Sequence, residues 1–375
     1  MGEIDKTSKK SGKLQVFSYF SPPKNNQAYA FQLKWMTYYF AEYFYMKAII
    51  PVAGAGTKLR PHTYTHPKAL IPIAGKTILS CIVDQLHSAG INEFIFIVGY
   101  LGDKIKDYVQ QTYPQLKAHF IYQNERQGTG HAIELTRNLV AGDEVFVVLG
   151  DTICEYDIRE VLDSPDNLLG IKKVDDPRHF GVASLGEDGF IEHVVEKPSI
   201  PKSNQALVGL YKIKQTDILF ECLQDLFIKE PAPAGVYHLT DALDCMIQRG
   251  VKFRPFKVKN WFDCGKKESL LETNATLLKK SGGNIPEQHD FPHTIIIPPV
   301  SIAPGCDISH SIIGPHVTIG PNTQIKHSIV RDSIIGSYTH LFEVVLDNSL
   351  IGSDASVKGL SRSLNIGDNT EIDFG

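Results

Sequence analysis

From about Ile295 onward, apolar residues recur six apart, and few architectures tolerate that period. Ile302 and Ile308 keep it, then Ile313, Ile319 and Ile325, Ile335 and Leu341, Ile351 and Val357, and Ile366 and Ile372. A helix repeats about every 3.6 residues and a strand every second residue. A six-residue repeat instead fits one face of a β-solenoid, whose apolar residues stack inward coil upon coil. A glycine follows the apolar residue at Gly314, Gly320, Gly336, Gly352 and Gly367. The spacers between blocks predict irregular coils or protruding loops.

Upstream the pattern is different. Lys47 to Val52, Phe94 to Val98, His119 to Tyr122 and Val145 to Leu149 read as strands. Ile78 to Ala89, Asp103 to Tyr113 and Gly130 to Leu139 read as helices. Continuous apolar strands alternating with helices predict an α/β fold, a mainly parallel sheet covered on both faces. Ligands of such sheets bind outside the carboxyl ends of the strands. Between 157 and 260 the pattern is mixed, with strands at Ala206 to Ile213 and Phe253 to Val258 and a helix at Thr240 to Arg249. A helix over Lys267 to Lys280 and a linker over Ser281 to Asn284 would follow. The chain thus divides into an α/β domain at 46–283 and a solenoid at 290–375.

Residues 1–45 read as an extension outside the fold. The first 30 are polar and patternless, and the aromatic run ending at Met46 is too short to span a bilayer and contains Glu42. It lacks the basic face of a membrane-surface helix, so Met46 reads as the natural start. A formal charge of −4 leaves no general basic surface for nucleic acid or an anionic membrane. The six cysteines form no C-x-x-C pair. They read as buried free thiols in a reducing, cytoplasmic setting rather than as a zinc site or disulfide framework.

Four segments carry candidate chemistry. In Pro51 to Pro61, Gly54 and Gly56 directly follow a strand and precede Thr57, Lys58 and Arg60. Glycines let backbone N–H groups approach a phosphate, and Lys58, Arg60 and the nearby Lys68 can neutralise it. The dinucleotide fingerprint fails at Leu59, and the apparent Walker loop at Gly75-Lys76-Thr77 fails at Leu70. A glycine turn with solvated basic residues is the alternative. Asp151, in Leu149-Gly150-Asp151, ends a buried strand and could face a magnesium ion held with substrate phosphates, as could Asp263 in Trp261 to Gly265; each could equally be a turn aspartate. Glu196 could accept from sugar hydroxyls and Lys197 could hold a phosphate, or the two could form an exposed ion pair. Gln123 carries a donor and an acceptor suited to the edge of a pyrimidine, Thr129 could cap the helix it opens, and His131 reads as packed rather than catalytic.

Taken in order, these segments resemble the sugar-phosphate nucleotidyltransferases, which include glucose-1-phosphate thymidylyltransferases and UTP-glucose-1-phosphate uridylyltransferases. The signature G-x-G-T-[RK]-L-x-P, Pro67-Lys68, Leu149-Gly150-Asp151, Glu196-Lys197-Pro198 and W-x-D-x-G is complete and in order. The resemblance covers nearly everything after residue 45. It implies a Rossmann-like nucleotidyltransferase domain with a mixed, mainly parallel sheet, followed by a left-handed parallel β-helix. It places Gly54, Gly56, Thr57 and Lys58 at the triphosphate, Gln123 and Gly128 at the base, Gly181 and Glu196 at the sugar, and Ala53 and Thr129 among the substrate-binding residues. Lys197 would hold the sugar phosphate, Lys68 would lie by the phosphates being joined, and Asp151 and Asp263 would bind Mg2+. The implied substrates are an NTP, dTTP or UTP, and a sugar 1-phosphate, glucose 1-phosphate first. The implied partners exclude nucleic acid and membrane, and the β-helix would serve a homo-oligomer or regulation. Ala53 stands where many thymidylyltransferases have glycine, and Lys58 where many relatives have arginine; the lysine keeps the charge but loses the bidentate fork. Two rivals remain. One is a hexapeptide acyltransferase using His310, His316, His327 or His340; the other is a non-catalytic regulatory subunit of the same fold.

Overall fold

The computed structural model describes residues 46–140, 142–228, 235–286, 291–359 and 364–373. The extension at 1–45 lies outside them.

Strand β1 (Met46–Pro51) leads into a small hairpin of β2 (Pro72–Ile73) and β3 (Lys76–Thr77). Then come β4 (Glu93–Val98), β5 (Lys117–Tyr122), β6 (Glu144–Val148) and β7 (Thr152–Glu155). The second half adds β8 (Asn167–Lys173), β9 (Gly181–Leu185), β10 (Ile191–Glu196), β11 (Gln205–Ile213), β12 (Phe253–Lys257) and β13 (Asn260–Asp263). Nine of them build one sheet, ordered β5-β4-β1-β6-β11-β8-β12-β10-β9. The first four are parallel; the Val, Ile and Phe residues of β1, β4 and β6 are buried on both faces, as a sheet covered by crossover helices requires, while the edge strand β5 is only half-buried. β11 runs antiparallel to both β6 and β8, which makes the whole sheet mixed.

The helix expected over 130–139 is two pieces, Gly128–Glu134 and Arg137–Val140. At the break the Thr136 hydroxyl donates to the Ile133 carbonyl at 2.7 Å. Such local bonding competes with the helical ladder. β11 also shifts register between Leu207 and Tyr211. Gly209 sits there with φ of +82°, and its carbonyl accepts from the Leu149 N–H at 2.9 Å. A side chain at Gly209 would strike Leu149, so the bulge lets β11 close against the end of β6.

Past the helix Lys267–Ser281 the chain forms three parallel sheets, each strand paired with its counterpart in the next coil. Val300 pairs with Val317, Thr318 with Ile334, Ile334 with Leu350 and Leu350 with Asn365, so the coils are 17, 16, 16 and 15 residues long. The spacers of the sequence are therefore shortened coils rather than protruding loops through 359; those at 360–363 lie outside the described residues. The expected linker is also corrected. Gly283–Asn284 pairs in parallel with Val300 and Ser301 and is the first rung of the solenoid.

Three of the repeated glycines, Gly320, Gly336 and Gly352, share one steric cause. A Cβ on Gly336 would lie 2.5 Å from the Gly352 carbonyl carbon, and one on Gly352 equally close to that of Gly367. Coils stack at strand spacing, which leaves no room there for a methyl group. The corners turn through left-handed residues, including His310, Asn322, His327, Asp332, Asn348 and Asp354. Asn, Asp and His tolerate that conformation better than most residues. The solenoid also lies against the α/β domain. The buried Asn274 amide accepts from the Ala74 N–H (2.8 Å) and the Thr318 hydroxyl (2.7 Å), and donates to the His316 carbonyl (3.0 Å).

Gly336→Ala should lower stability by about 1–3 kcal/mol, because overpacking cannot relax between two backbones. Denaturant unfolding followed by far-UV dichroism checks this; an unchanged midpoint would refute the stacking argument.

Candidate active site

The sheet brings the first and fourth of its buried strands to the same edge. Gly150, just after β6, donates its N–H to the Pro51 carbonyl at 3.2 Å, and a Cβ there would come within 2.2 Å of Val52. The glycine of Leu149-Gly150-Asp151 therefore lets two strand ends meet, and Asp151 emerges beside the glycine loop.

That loop is open. Nothing approaches within 4 Å of a Cβ position on Gly54. Gly56 has φ of +61° and a Cβ there would hit Thr63, so only glycine fits. Thr63 donates its hydroxyl to the Gly56 carbonyl at 2.8 Å, and Thr57–Leu59 form one 3-10 turn. Thr57 and Lys58 are exposed, whereas Ala53 is buried against Gly99.

Lys68 reaches back from the following turn, and its ammonium lies 2.8 Å from Asp151 Oδ2. Lys68 is largely buried and Asp151 about half exposed. Asp263 arrives from β13, which runs antiparallel to β7 with Asp263 opposite Thr152; the next residue, Cys264, donates its N–H to the Asp151 carbonyl at 3.1 Å. The Cys264 thiol reports the cluster. Burial pushes it up to about 12, Lys68 opposes the shift, and Asp151 and Asp263 reinforce it. Two carboxylates from adjoining strands are hard oxygen donors of the kind that suits Mg2+ held jointly with substrate phosphates. Among the described residues no group of three or more metal-ligating side chains gathers.

Glu196 and Gly181 face each other across the β10–β9 pair, and a Cβ on Gly181 would sit 3.3 Å from the Glu196 carboxylate. Thr240 donates its hydroxyl to Glu196 Oε2 at 2.7 Å. Lys197, at φ of +43°, places its ammonium 3.2 Å from Glu196 Oε1. The two do form an ion pair, but one whose carboxylate is anchored from beneath. Tyr211 is buried between the halves of the site, its hydroxyl made harder to ionise by burial, then by the charges of Glu196 and Asp151. Neither Tyr211 nor Thr240 stands out in the sequence, where nothing links an apolar strand or helix start to a carboxylate far away.

Gln123 is buried at the end of β5. Its Nε2 donates to the Gly128 carbonyl at 2.9 Å and lies 3.2 Å from His131 Nδ1. Gly128 has φ of +97°, and a Cβ on it would come within 2.3 Å of the Tyr237 carbonyl oxygen. Thr129 caps a helix, but a different one from that expected: its hydroxyl accepts the Leu239 N–H at 3.0 Å, at the start of Leu239–Gln248. His131 packs edge-on against Phe227, as expected.

Other readings change in detail. Cys154, Cys222, Cys264 and Cys306 are buried, whereas Cys81 and Cys245 are half-buried. His310 stacks between His293 and His327, and His316 pairs with Asp332 at 2.7 Å. His310, His316 and His327 are all left-handed corner residues, and His340 lies in a surface strand beside Gln324. These are structural employments along the solenoid. No described helix is long and apolar enough to cross a membrane.

Residues 47–280 match the family model described as nucleotidyl transferase. The bifunctional protein GlmU of Methanococcus vannielii is 36% identical over 67% of this chain, which spans 61% of that relative's length. The glucose-1-phosphate thymidylyltransferase of Streptomyces griseus is 31% identical over 84% of this chain and 90% of that protein. A crystal structure of UDP-glucose pyrophosphorylase complexed with UDP-glucose superimposes with a TM-score of 0.56 at 24% identity, covering 63% of this chain and all of the other, a likeness of fold. With its signature segments converging on one edge of the sheet, the chain belongs to the nucleotidyl transferase family.

Proposed function

We propose that the protein transfers a nucleotidyl group from dTTP or UTP to a sugar 1-phosphate, releasing pyrophosphate and forming a nucleoside-diphosphate sugar. The observation that carries this reading is the Lys68–Asp151 pair at 2.8 Å, set beside the open glycine loop with Asp263 alongside. An oxygen of the sugar phosphate attacks the α-phosphorus. The bond from that phosphorus to the β-phosphate bridging oxygen breaks, and its electron pair leaves with pyrophosphate. No protein nucleophile is required.

The enzyme's tasks are to align two polyanions and to offset their charge. Backbone N–H groups of Gly54 to Lys58 and the Lys58 ammonium would meet the triphosphate. Lys197 would hold the attacking phosphate, with Glu196 accepting from sugar hydroxyls opposite the bare backbone of Gly181. Bound at Asp151 and Asp263, Mg2+ would supply further positive charge to the triphosphate. Lys68 is poised to exchange its carboxylate partner for phosphate oxygens.

Gln123 supports an imide base. Its amide nitrogen is already turned to Gly128 and His131, which leaves Oε1 as the group free to accept. Uracil and thymine present an N3–H donor, whereas cytosine presents an acceptor at N3. The likeness to the thymidylyltransferase over most of both chains supports glucose 1-phosphate as the sugar. We also take the solenoid to be left-handed and to assemble copies of the chain, and the setting to be cytoplasmic.

A pyrophosphate-release screen of dTTP, UTP, CTP, ATP and GTP against glucose, mannose and N-acetylglucosamine 1-phosphates tests the proposal. Turnover should be confined to dTTP or UTP, with CTP poorer by about a hundredfold or more because a buried acceptor would face another acceptor. Silence in every combination would favour the regulatory reading. Asp151→Asn should cut turnover by about a thousandfold or more with the far-UV dichroism of the parent retained; near-full activity would remove Asp151 from the metal site. Gly128→Ala should raise KM for the nucleotide at least about tenfold, since the methyl group must displace the Tyr237 backbone from beneath the base site.

A further inference from the structure

The last described coil of the solenoid reaches the loop assigned to the triphosphate. Asn365 Oδ1 lies 2.5 Å from His62 Nε2. Thr65 donates its hydroxyl to Asp368 Oδ2, and His66 Nδ1 pairs with the same oxygen. A Cβ on Gly367 would touch Pro61 at 2.9 Å. The Asp368 side chain is only 6% exposed, and its other oxygen, Oδ1, takes the Ser353 N–H of the preceding coil at 2.7 Å. One buried carboxylate thus faces two ways, toward its own solenoid and toward the loop. His62 is buried as well, and burial pulls its imidazole below the usual value.

On the loop side these contacts run straight into the phosphate-binding turn. Thr63, between the clamped residues His62 and Thr65, holds the Gly56 carbonyl at 2.8 Å. Lys68, the partner of Asp151, follows His66 by two positions. Lys58 and Asn365 also line one cavity of about 520 Å³, with Lys266, Lys267 and Glu268. The tip of the loop has little packing, since nothing lies within 4 Å of a Cβ position on Gly54 and Thr57 and Lys58 are exposed, with Leu59 buried behind them as an anchor. A loop of that kind must lose conformational freedom when it binds an anion, unless something else has already ordered it.

We infer that the terminal coil is a clamp on the triphosphate loop, with Asn365 and Asp368 as positioning residues that hold residues 56–68 in their nucleotide-binding form. The kinetic part of this inference rests on the proposed nucleotidyl transfer; the ordering of the loop does not. Two variants attack the contact from opposite sides in the full chain. Asp368→Ala acts from the solenoid, and the pair Thr65→Val, His66→Leu acts from the loop. In both, hydrogen exchange of peptides covering 56–68 should quicken about tenfold, while those covering β1, β4 and β6 stay as in the parent protein. A loop competent about one tenth of the time raises KM for the nucleotide about tenfold, with KM for the sugar phosphate within about twofold. Combining the two sets should add nothing to either alone, since each removes the same contact. Unchanged exchange, a KM shift shared equally by both substrates, or fully additive effects would overturn the clamp. If the parent protein turns over none of the substrates, the proposed reaction fails, and loop exchange with calorimetric binding of UTP or dTTP still decides the clamp.

Discussion

A largely buried ammonium needs an anion, and Lys68 finds the Asp151 carboxylate 2.8 Å away at the end of a buried strand. Much else in the α/β domain follows from placing that pair. β1 and β6 must end together, which requires the bare backbone of Gly150 against Val52. β11 must close on the end of β6, which requires the bulge at Gly209. β13 must cross to β7, which delivers Asp263. The ion pair holds one end of the glycine loop while leaving that loop open.

The solenoid obeys a different economy. It has few long-range choices, because each coil rests on the next through the same inward aliphatic column and the same glycine column. Its corners need left-handed residues at short intervals, and His310, His316 and His327 fill three of them. What is not repetitive is the contact at its two ends. Asn274 joins the first coils to the hairpin after the loop, and Asp368 joins the last coil to the loop itself. The stack of coils is therefore tied to the chain on both sides of Lys68.

The sequence alone determined the period-six solenoid, the buried parallel strands and the order of the signature segments. Each is a local property: apolar spacing decides which face is buried, and a glycine after a strand decides where the backbone can be approached. Tertiary structure decided the partners. Thr240 reaches Glu196 across 44 positions, Thr129 caps a helix 110 positions away, and Thr65 meets Asp368 across 303. It also decided that β11 runs antiparallel, that Gly283–Asn284 enters the solenoid rather than linking to it, and that the coils are shortened. A hydroxyl or carboxylate has no sequence periodicity to reveal its partner. Its partner is set by how two separately folded layers pack, and that is a property of the whole chain.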